Sequence, residues 1–181
     1  VSPGNLHDRT IPYMYRKDRL FDSVMAVEKS AYTKEKWQDF LDGKTVLTIP
    51  KDTEEILEIS VGEEMTGYIS LGLSAGKNAE ITLIYAESYV QDEHVGPDHA
   101  ALKKDRLDQV NGHLEGYQDH YRAGGFGTEK ELELYEPFWF RTFRFVRIHI
   151  KTKTEALTLH KLDYQETGYP LEVNTSVRTS D

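Results

Sequence analysis

The sequence predicts an all-β chain, an antiparallel β-sandwich or jelly roll carrying one or two short helices. Three observations lead there. Apolar residues alternate with polar ones at a period of two in at least five short runs. Turn-forming residues such as Gly76-Lys77-Asn78 separate those runs. Helical spacing is confined to two brief stretches. Alternation of this kind marks strands with one buried and one solvated face, which argues against a doubly wound or helical architecture. With 181 residues the chain has the length of one domain or a tight pair. A chain of that size buries enough apolar surface to need no disulfide or metal staple.

Taken in order, residues 1–32 read as an irregular lead-in strapped to the sandwich. Its anchors are Ile11, Tyr13, Met14 and Tyr15, and the opening Val1-Ser2-Pro3-Gly4-Asn5 reads as a cut inside a longer chain. The sandwich is expected over 33–166. It opens on a short helix at 33–42, where Thr33 caps the start, Trp37, Phe40 and Leu41 recur at i, i+3, i+4, and Gly43 ends it. Strand patterns follow at Leu57/Ile59/Val61, Ile69/Leu71/Leu73, Ile81/Leu83/Tyr85, Val146/Ile148/Ile150 and Leu157/Leu159. Between them lies a long connection, 86–128, rich in glycine and holding four of the seven histidines. Connections this long are often functional. Within it, 98–110 has the spacing of a second short helix with Asp98 as cap. Residues 167–181 read as an extended segment leading on to a missing domain.

Composition excludes several functions. The absence of cysteine removes a disulfide framework, a Cys-ligated zinc site and a thiol nucleophile. The net charge of −9 opposes nucleic-acid binding. No apolar run approaches 18 residues and no charged-then-apolar leader opens the chain, so no membrane association is expected. His94, His99, His113 and His120 lie among carboxylates but lack His-x-x-x-His or His-Glu-x-x-His spacing, and no calcium-loop spacing accompanies them. No metal ligand is therefore assigned, with calcium the one ion the carboxylates suit. Gly-x-Ser-x-Gly is absent. The run Ala123–Thr128 lacks the Lys-Ser/Thr pair of a phosphate loop and reads as a turn with positive backbone dihedrals. Glu87 and Asp119 belong to a surplus of carboxylates from which no catalytic pair can be singled out.

The segment Phe138-Trp139-Phe140-Arg141-Thr142-Phe143-Arg144-Phe145-Val146-Arg147 is the densest feature. It reads as a central strand whose rings fill the sandwich. Strand alternation would put Arg141 and Arg147 on one face and Arg144 on the other, with each of Arg141 and Arg144 paired to a carboxylate or to carbonyls. Trp139 is expected to be buried. The competing use of such residues is sugar recognition, in which exposed rings stack on a pyranose and polar groups bind its hydroxyls. For that role the candidates are Tyr117, Asp119, Tyr121, Trp139 and Arg141, together with Trp37.

Three strings in order resemble a known family: Gly67-Tyr-Ile-Ser-Leu-Gly-Leu-Ser-Ala-Gly76 with Ile81-Thr-Leu-Ile-Tyr-Ala-Glu87, then Tyr135-Glu-Pro-Phe-Trp-Phe-Arg-Thr-Phe-Arg-Phe-Val146, then Thr167-Gly-Tyr-Pro-Leu-Glu172. Together they resemble the β-sandwich module that precedes the catalytic domain of bacterial α-L-rhamnosidases, glycoside hydrolase family 78. The resemblance implies a non-catalytic module of a multidomain enzyme, bracing or shaping an (α/α)6 barrel that follows Thr167-Gly-Tyr-Pro170. Both catalytic carboxylates would lie in that barrel, so no catalytic residue is assigned here. The alternative is a carbohydrate-binding module for rhamnose-containing glycans. On the accessory-module reading an apolar docking face is expected near the ends, formed by Ile11, Tyr13 and Met14 with Tyr169, Pro170, Leu171 and Val173, whereas a polar surface there would favour a self-contained binding domain.

Overall fold

The computed structural model describes residues 9–95, 100–102, 104–172 and 174–179. The chain is an antiparallel β-sandwich, with strands β1 (Tyr15–Arg19), β2 (Ser23–Lys29), β3 (Leu47–Ile49), β4 (Glu54–Ala75), β5 (Glu80–Ala86), β6 (Tyr89–Val95), β7 (Ala100–Leu102), β8 (His113–Leu114), β9 (Tyr117–Arg122), β10 (Glu133–Tyr135), β11 (Arg141–Lys151) and β12 (Leu157–Gly168). One helix, α1 (Lys34–Leu41), lies between β2 and β3. No helix among the described residues is long and apolar enough to cross a membrane.

The helix forms as its sequence dictates. The Thr33 hydroxyl accepts from the Lys36 amide at 3.3 Å. Trp37, Phe40 and Leu41 are buried, and Gly43 leaves the helix at φ +72°. Trp37 is fully enclosed, with its indole N–H donating to Ser30 Oγ at 2.9 Å, so it is a core residue and cannot serve as a sugar platform.

The runs at Leu57–Val61 and Ile69–Leu73 belong to a single strand of 22 residues, β4. Its first half pairs with β2 and β11, and its second half with β12 and β10. The chain passes Gly62 at φ +84° between the halves, a backbone setting that favours glycine. β5 and β9 extend the first ladder beyond β11, while β1 flanks β12. Leu57, Ile59, Ile69, Leu71, Leu73, Ile81, Leu83, Val146, Ile148, Ile150, Leu157 and Leu159 share one apolar core, the period-two faces read from the sequence.

Two segments differ from expectation. Residues 15–19 and 23–29, taken as an irregular lead-in, are strands of the sheet, because β12 and β4 supply ladders for them. The helix expected from Asp98 is not formed: β7 pairs with β6, and turns occupy 106–107 and 109–111. Asp98 itself lies outside the described residues. In those turns Asp108 Oδ1 accepts from the amides of Val110 and Asn111, the local competition that makes Asp a turn residue. β6, β7 and β8 form a small separate sheet. Beneath it Ala86, Tyr89, Leu114 and Phe145 make a second, smaller core.

The β11–β4 ladder is broken at one point. Between the pairs Phe143–Met65 and Phe145–Ser60, the four β4 residues 61–64 stand against Arg144 alone, and the facing of β11 reverses across this break. Phe143 faces the main core, but so do Val146, Ile148 and Ile150, while Phe145 turns to the second core. Arg141 therefore lies on the inner side with Phe143, and Arg147 on the outer side with Phe145. The expectation that Arg141 and Arg147 share a face is overturned by this break in the ladder.

Candidate functional site

At one end of the sandwich, β5 leaves the sheet at Tyr85–Ala86, and β9 enters opposite it, Tyr117 pairing with Tyr85. The approach is close. A Cβ on Gly116 would fall 1.7 Å from the Tyr85 carbonyl oxygen, so only glycine lets the chain turn there. The start of β11 brings Arg141 to the same place. Just before it, Pro137 is buried and interrupts the strand, since proline has no N–H for a ladder. The chain bends over 138–139, and the rings of Phe138 and Trp139 emerge into solvent. Trp139 is 66% exposed. This corrects the expectation that it fills the core; the sandwich takes Phe143 and Phe145 instead.

These segments enclose a cleft of about 370 Å³ lined by Tyr85, Glu87, Ser88, Val90, Glu115, Gly116, Tyr117, Trp139, Phe140, Arg141 and Thr142. Tyr117, 82% exposed, and Trp139 both contribute rings. Trp139 stacks on Phe140 with centroids 5.6 Å apart. Arg141 reaches inward, its Nη2 donating to Asp119 Oδ1 at 2.5 Å, while its guanidinium lies 5.8 Å from the Tyr85 ring centroid. The Asp119 hydrogen bond holds the Arg141 guanidinium charged more firmly than usual. Burial first, and then the Asp119 charge, push the Tyr85 hydroxyl upward and the Tyr135 hydroxyl up to about 12. Both are neutral donors at any ordinary pH.

Polar satisfaction is unusual here. The buried side-chain atoms without a hydrogen bond among the described residues are Tyr85 Oη, Ser88 Oγ, Asp119 Oδ2, Arg141 Nε and Arg144 Nε. Three of them belong to side chains that line the cleft, and Asp119 sits directly beneath through Arg141. The Tyr85 hydroxyl lies beside Asp119, whose charge and hydrogen bonding both push it upward, at the edge of hydrogen-bond geometry. Arg144 is separate. Its guanidinium lies 5.5 Å from the Phe145 ring centroid, and its Nε finds none of the carboxylate or carbonyl partners expected of it.

Of the five candidate sugar contacts, Tyr117, Trp139 and Arg141 line the cleft, and Asp119 anchors Arg141. Tyr121 does not belong with them. Its hydroxyl donates to Glu133 Oε1 at 2.6 Å and its ring packs 4.7 Å from Tyr135. Glu133 also accepts from the amides of Gly124 and Gly125. The glycine run is thus a turn closed on a carboxylate of the protein itself, with Gly125 at φ +76°. The sequence reading missed the roles of Tyr85 and Ser88. Tyr85 was visible only as a core position, and nothing marked Ser88 except its place just past the end of β5. Among the histidines, His113 contacts Glu115 at 3.0 Å and His120 contacts the Thr82 hydroxyl at 3.0 Å. The side chains of His94 and His99 lie outside the described residues.

A half-buried aromatic path leads from this cleft toward the chain ends. Phe140 meets Tyr68 edge-on at 6.3 Å, and the Arg16 guanidinium lies 4.1 Å from the Tyr68 ring centroid. Arg16 also reaches Glu136 at 3.3 Å. Since Tyr15 pairs with Gly168, the described ends leave the same sheet edge. Ile11, Tyr13, Met14, Tyr169 and Leu171 are exposed around it; Val173 lies outside the described residues.

No family model matches the sequence, and no curated protein matches it. Similar solved structures do exist. A rhamnosidase from Klebsiella oxytoca, solved with rhamnose bound, superposes with a TM-score of 0.57 at 14% identity, over 94% of this chain and 32% of its own. A family 78 rhamnosidase from Bacillus sp. GL1 gives 0.50 at 19% identity, over 80% of this chain and 14% of its own. A pectin-binding carbohydrate-binding module gives 0.43 at 13% identity, over 78% of this chain and 90% of its own. The chain thus spans about a third of the first rhamnosidase and a seventh of the second. The likeness is one of fold: this chain has the fold of a β-sandwich that forms one part of family 78 rhamnosidases.

Proposed function

We propose that this chain is the non-catalytic β-sandwich module of a multidomain glycoside hydrolase of the α-L-rhamnosidase kind, and that it braces a following helical catalytic domain. One observation carries the reading: the fold match takes in 94% of this chain but only 32% of a rhamnosidase. The exposed apolar side chains gathered where β1 and β12 meet support it as a docking face. The reaction itself needs an acid and a base at fixed separation across a sugar, and the sandwich is assigned neither. Expression of the gene through and beyond Asp181 tests the proposal. The 181-residue chain should leave aryl α-L-rhamnosides intact, and the longer product should cleave them. Hydrolysis by the short chain, or a continuation with no catalytic domain, would overturn it.

A second reading, carbohydrate binding by the sandwich itself, is favoured by the exposure of Trp139 and Tyr117 at the mouth of the cleft. The two readings are compatible, because the docking edge and the cleft are neighbouring but distinct surfaces.

A further inference from the structure

Resting on the carbohydrate-binding reading, we infer that the cleft between the β5 exit and the bend before β11 is a subsite for one uncharged pyranose unit, held against Trp139 and Tyr117 and hydrogen-bonded at its floor by Tyr85, Ser88 and Arg141. Burial makes the case. Tyr85 and Ser88 are each only 2% exposed, yet among the described residues Ser88 Oγ meets no hydrogen-bond partner, and Tyr85 Oη has only Asp119 beside it, short of full hydrogen-bond geometry. Buried polar groups are nearly always satisfied, so such a concentration points to a partner supplied from outside. Arg141 Nε adds a third unmet donor in the same lining. Hydroxyls that both donate and accept, with a guanidinium donor in the same lining, are the groups that recognise sugar hydroxyls. The exposed indole offers the apolar face that a pyranose C–H surface requires. A volume of about 370 Å³ is near the lower end for small-ligand sites, roughly 300–1,000 Å³, and suits a terminal unit.

Charge selects the class of sugar. Arg141 is the single cation in the described lining, and it is already committed to Asp119 at 2.5 Å. Glu87 and Glu115 line the same space. A uronate or sulfated unit would bring an anion to a cleft with no uncommitted cation in its described lining. An uncharged pyranose meets no such penalty, so it is the unit the cleft selects.

The test is titration of the 181-residue chain, by calorimetry and by amide chemical-shift mapping, with methyl α-L-rhamnopyranoside, methyl β-D-galactopyranoside and D-galacturonate. Tyr85→Phe keeps the ring and removes only the hydroxyl. Trp139→Ala alters an exposed residue, so the fold of each variant is preserved. At least one neutral glycoside is expected to bind, with shifts at Ser88, Tyr117 and Arg141. Trp139→Ala should weaken binding about tenfold or more and Tyr85→Phe about three- to tenfold, the range of one net hydrogen bond. Galacturonate should bind more weakly than the neutral sugars. Tighter galacturonate binding, or neutral binding that neither variant alters, would overturn this subsite and leave the carbohydrate-binding reading intact. Failure of all three sugars and of a wider glycan panel to bind would overturn both.

Discussion

Glu58→Ala tests the polar network that seals the outer face of the sandwich. Glu58 is buried on the outer side of β4, where Oε2 accepts from the Tyr89 hydroxyl at 2.7 Å and Oε1 accepts from Arg147 Nη1 at 2.7 Å. Tyr89 is wholly enclosed, and Arg147 has a second partner in the exposed Glu28. Burial first, and then the Glu58 bond, keep the Tyr89 hydroxyl protonated well past the ordinary tyrosine range. The Glu28 hydrogen bond foremost, with Glu58 adding to it, does the corresponding thing for Arg147 against the desolvation of its guanidinium. Hydrogen bonds to charged groups contribute about 1.5–3 kcal/mol each, and removal of one member of a buried ion pair costs about 3–5 kcal/mol. Because Arg147 keeps Glu28, the lower end applies, and a loss of about 3 kcal/mol is expected. For a domain of this size that lowers Tm by about 6–12 °C. Urea unfolding should show the midpoint moving at constant slope. Paired with Tyr89→Phe in a double-mutant cycle, the substitution should show a coupling of about 1 kcal/mol or more. A loss under about 1 kcal/mol with an unchanged slope would refute the idea that this network holds the β6–β8 cover to the sheet.

Three further outcomes are expected. Trp139→Ala should change stability by no more than about 0.5 kcal/mol, the range of exposed sites, whereas Phe143→Ala should cost about 3–5 kcal/mol; equal losses in denaturant titrations would contradict the bend at 138–139. Glu54 is held down from 4.5 to about 2 by its hydrogen bonds to Lys29, His149 and Lys151, in that order. Its folded-state pKa lies below the unfolded one, so its contribution is full above about pH 4.5 and fades as pH falls through about 2. Glu54→Gln should therefore flatten the decline of Tm between those values, and parallel curves for the two proteins would count against it. Gly116→Ala should cost about 1–3 kcal/mol through overpacking against the Tyr85 carbonyl and should shift the amide signals of Tyr85 and Tyr117; an unperturbed spectrum would show that the two strands do not approach as described.

The residues that could be read from the sequence are those whose neighbours are local or whose pattern is periodic. Thr33, Trp37, Phe40, Leu41 and Gly43 specify α1 within a dozen positions. Alternation at Leu57, Ile69, Ile81, Val146 and Leu157 exposes the core faces because side chains in a strand repeat every two residues. What failed was long-range or non-periodic. The lead-in looked irregular because β1 and β2 gain strand character only from partners in β12 and β4. The β11–β4 register shifts by three where residues 61–64 of β4 stand against Arg144, and nothing in Phe-Arg-Phe marks that break. Trp139 was placed in the core because it sits in an aromatic run, although Pro137 two positions earlier signals the break in the ladder. The cleft was half visible. Tyr117, Trp139 and Arg141 stood out as surface chemistry, but the unmet hydroxyls of Tyr85 and Ser88 depend on burial, which no local pattern encodes.

The joining of both layers by β4, and of β1 to β12, also constrains how the chain is made. β12 is the partner of β1, of β3 and of the second half of β4, yet it begins about 140 residues after β1 ends. At synthesis rates of about 5–20 residues per second, the early strands wait roughly 7–28 s on the ribosome with their hydrogen-bonding edges bare. Ladders with such separations also close slowly once complete, since loop entropy must be met before any pairing is gained. During that interval the alternating apolar faces of β4 are uncovered and open to aggregation. Yield in a recombinant host should accordingly respond to slower translation, lower temperature and holdase chaperones more than to any change in the final contacts.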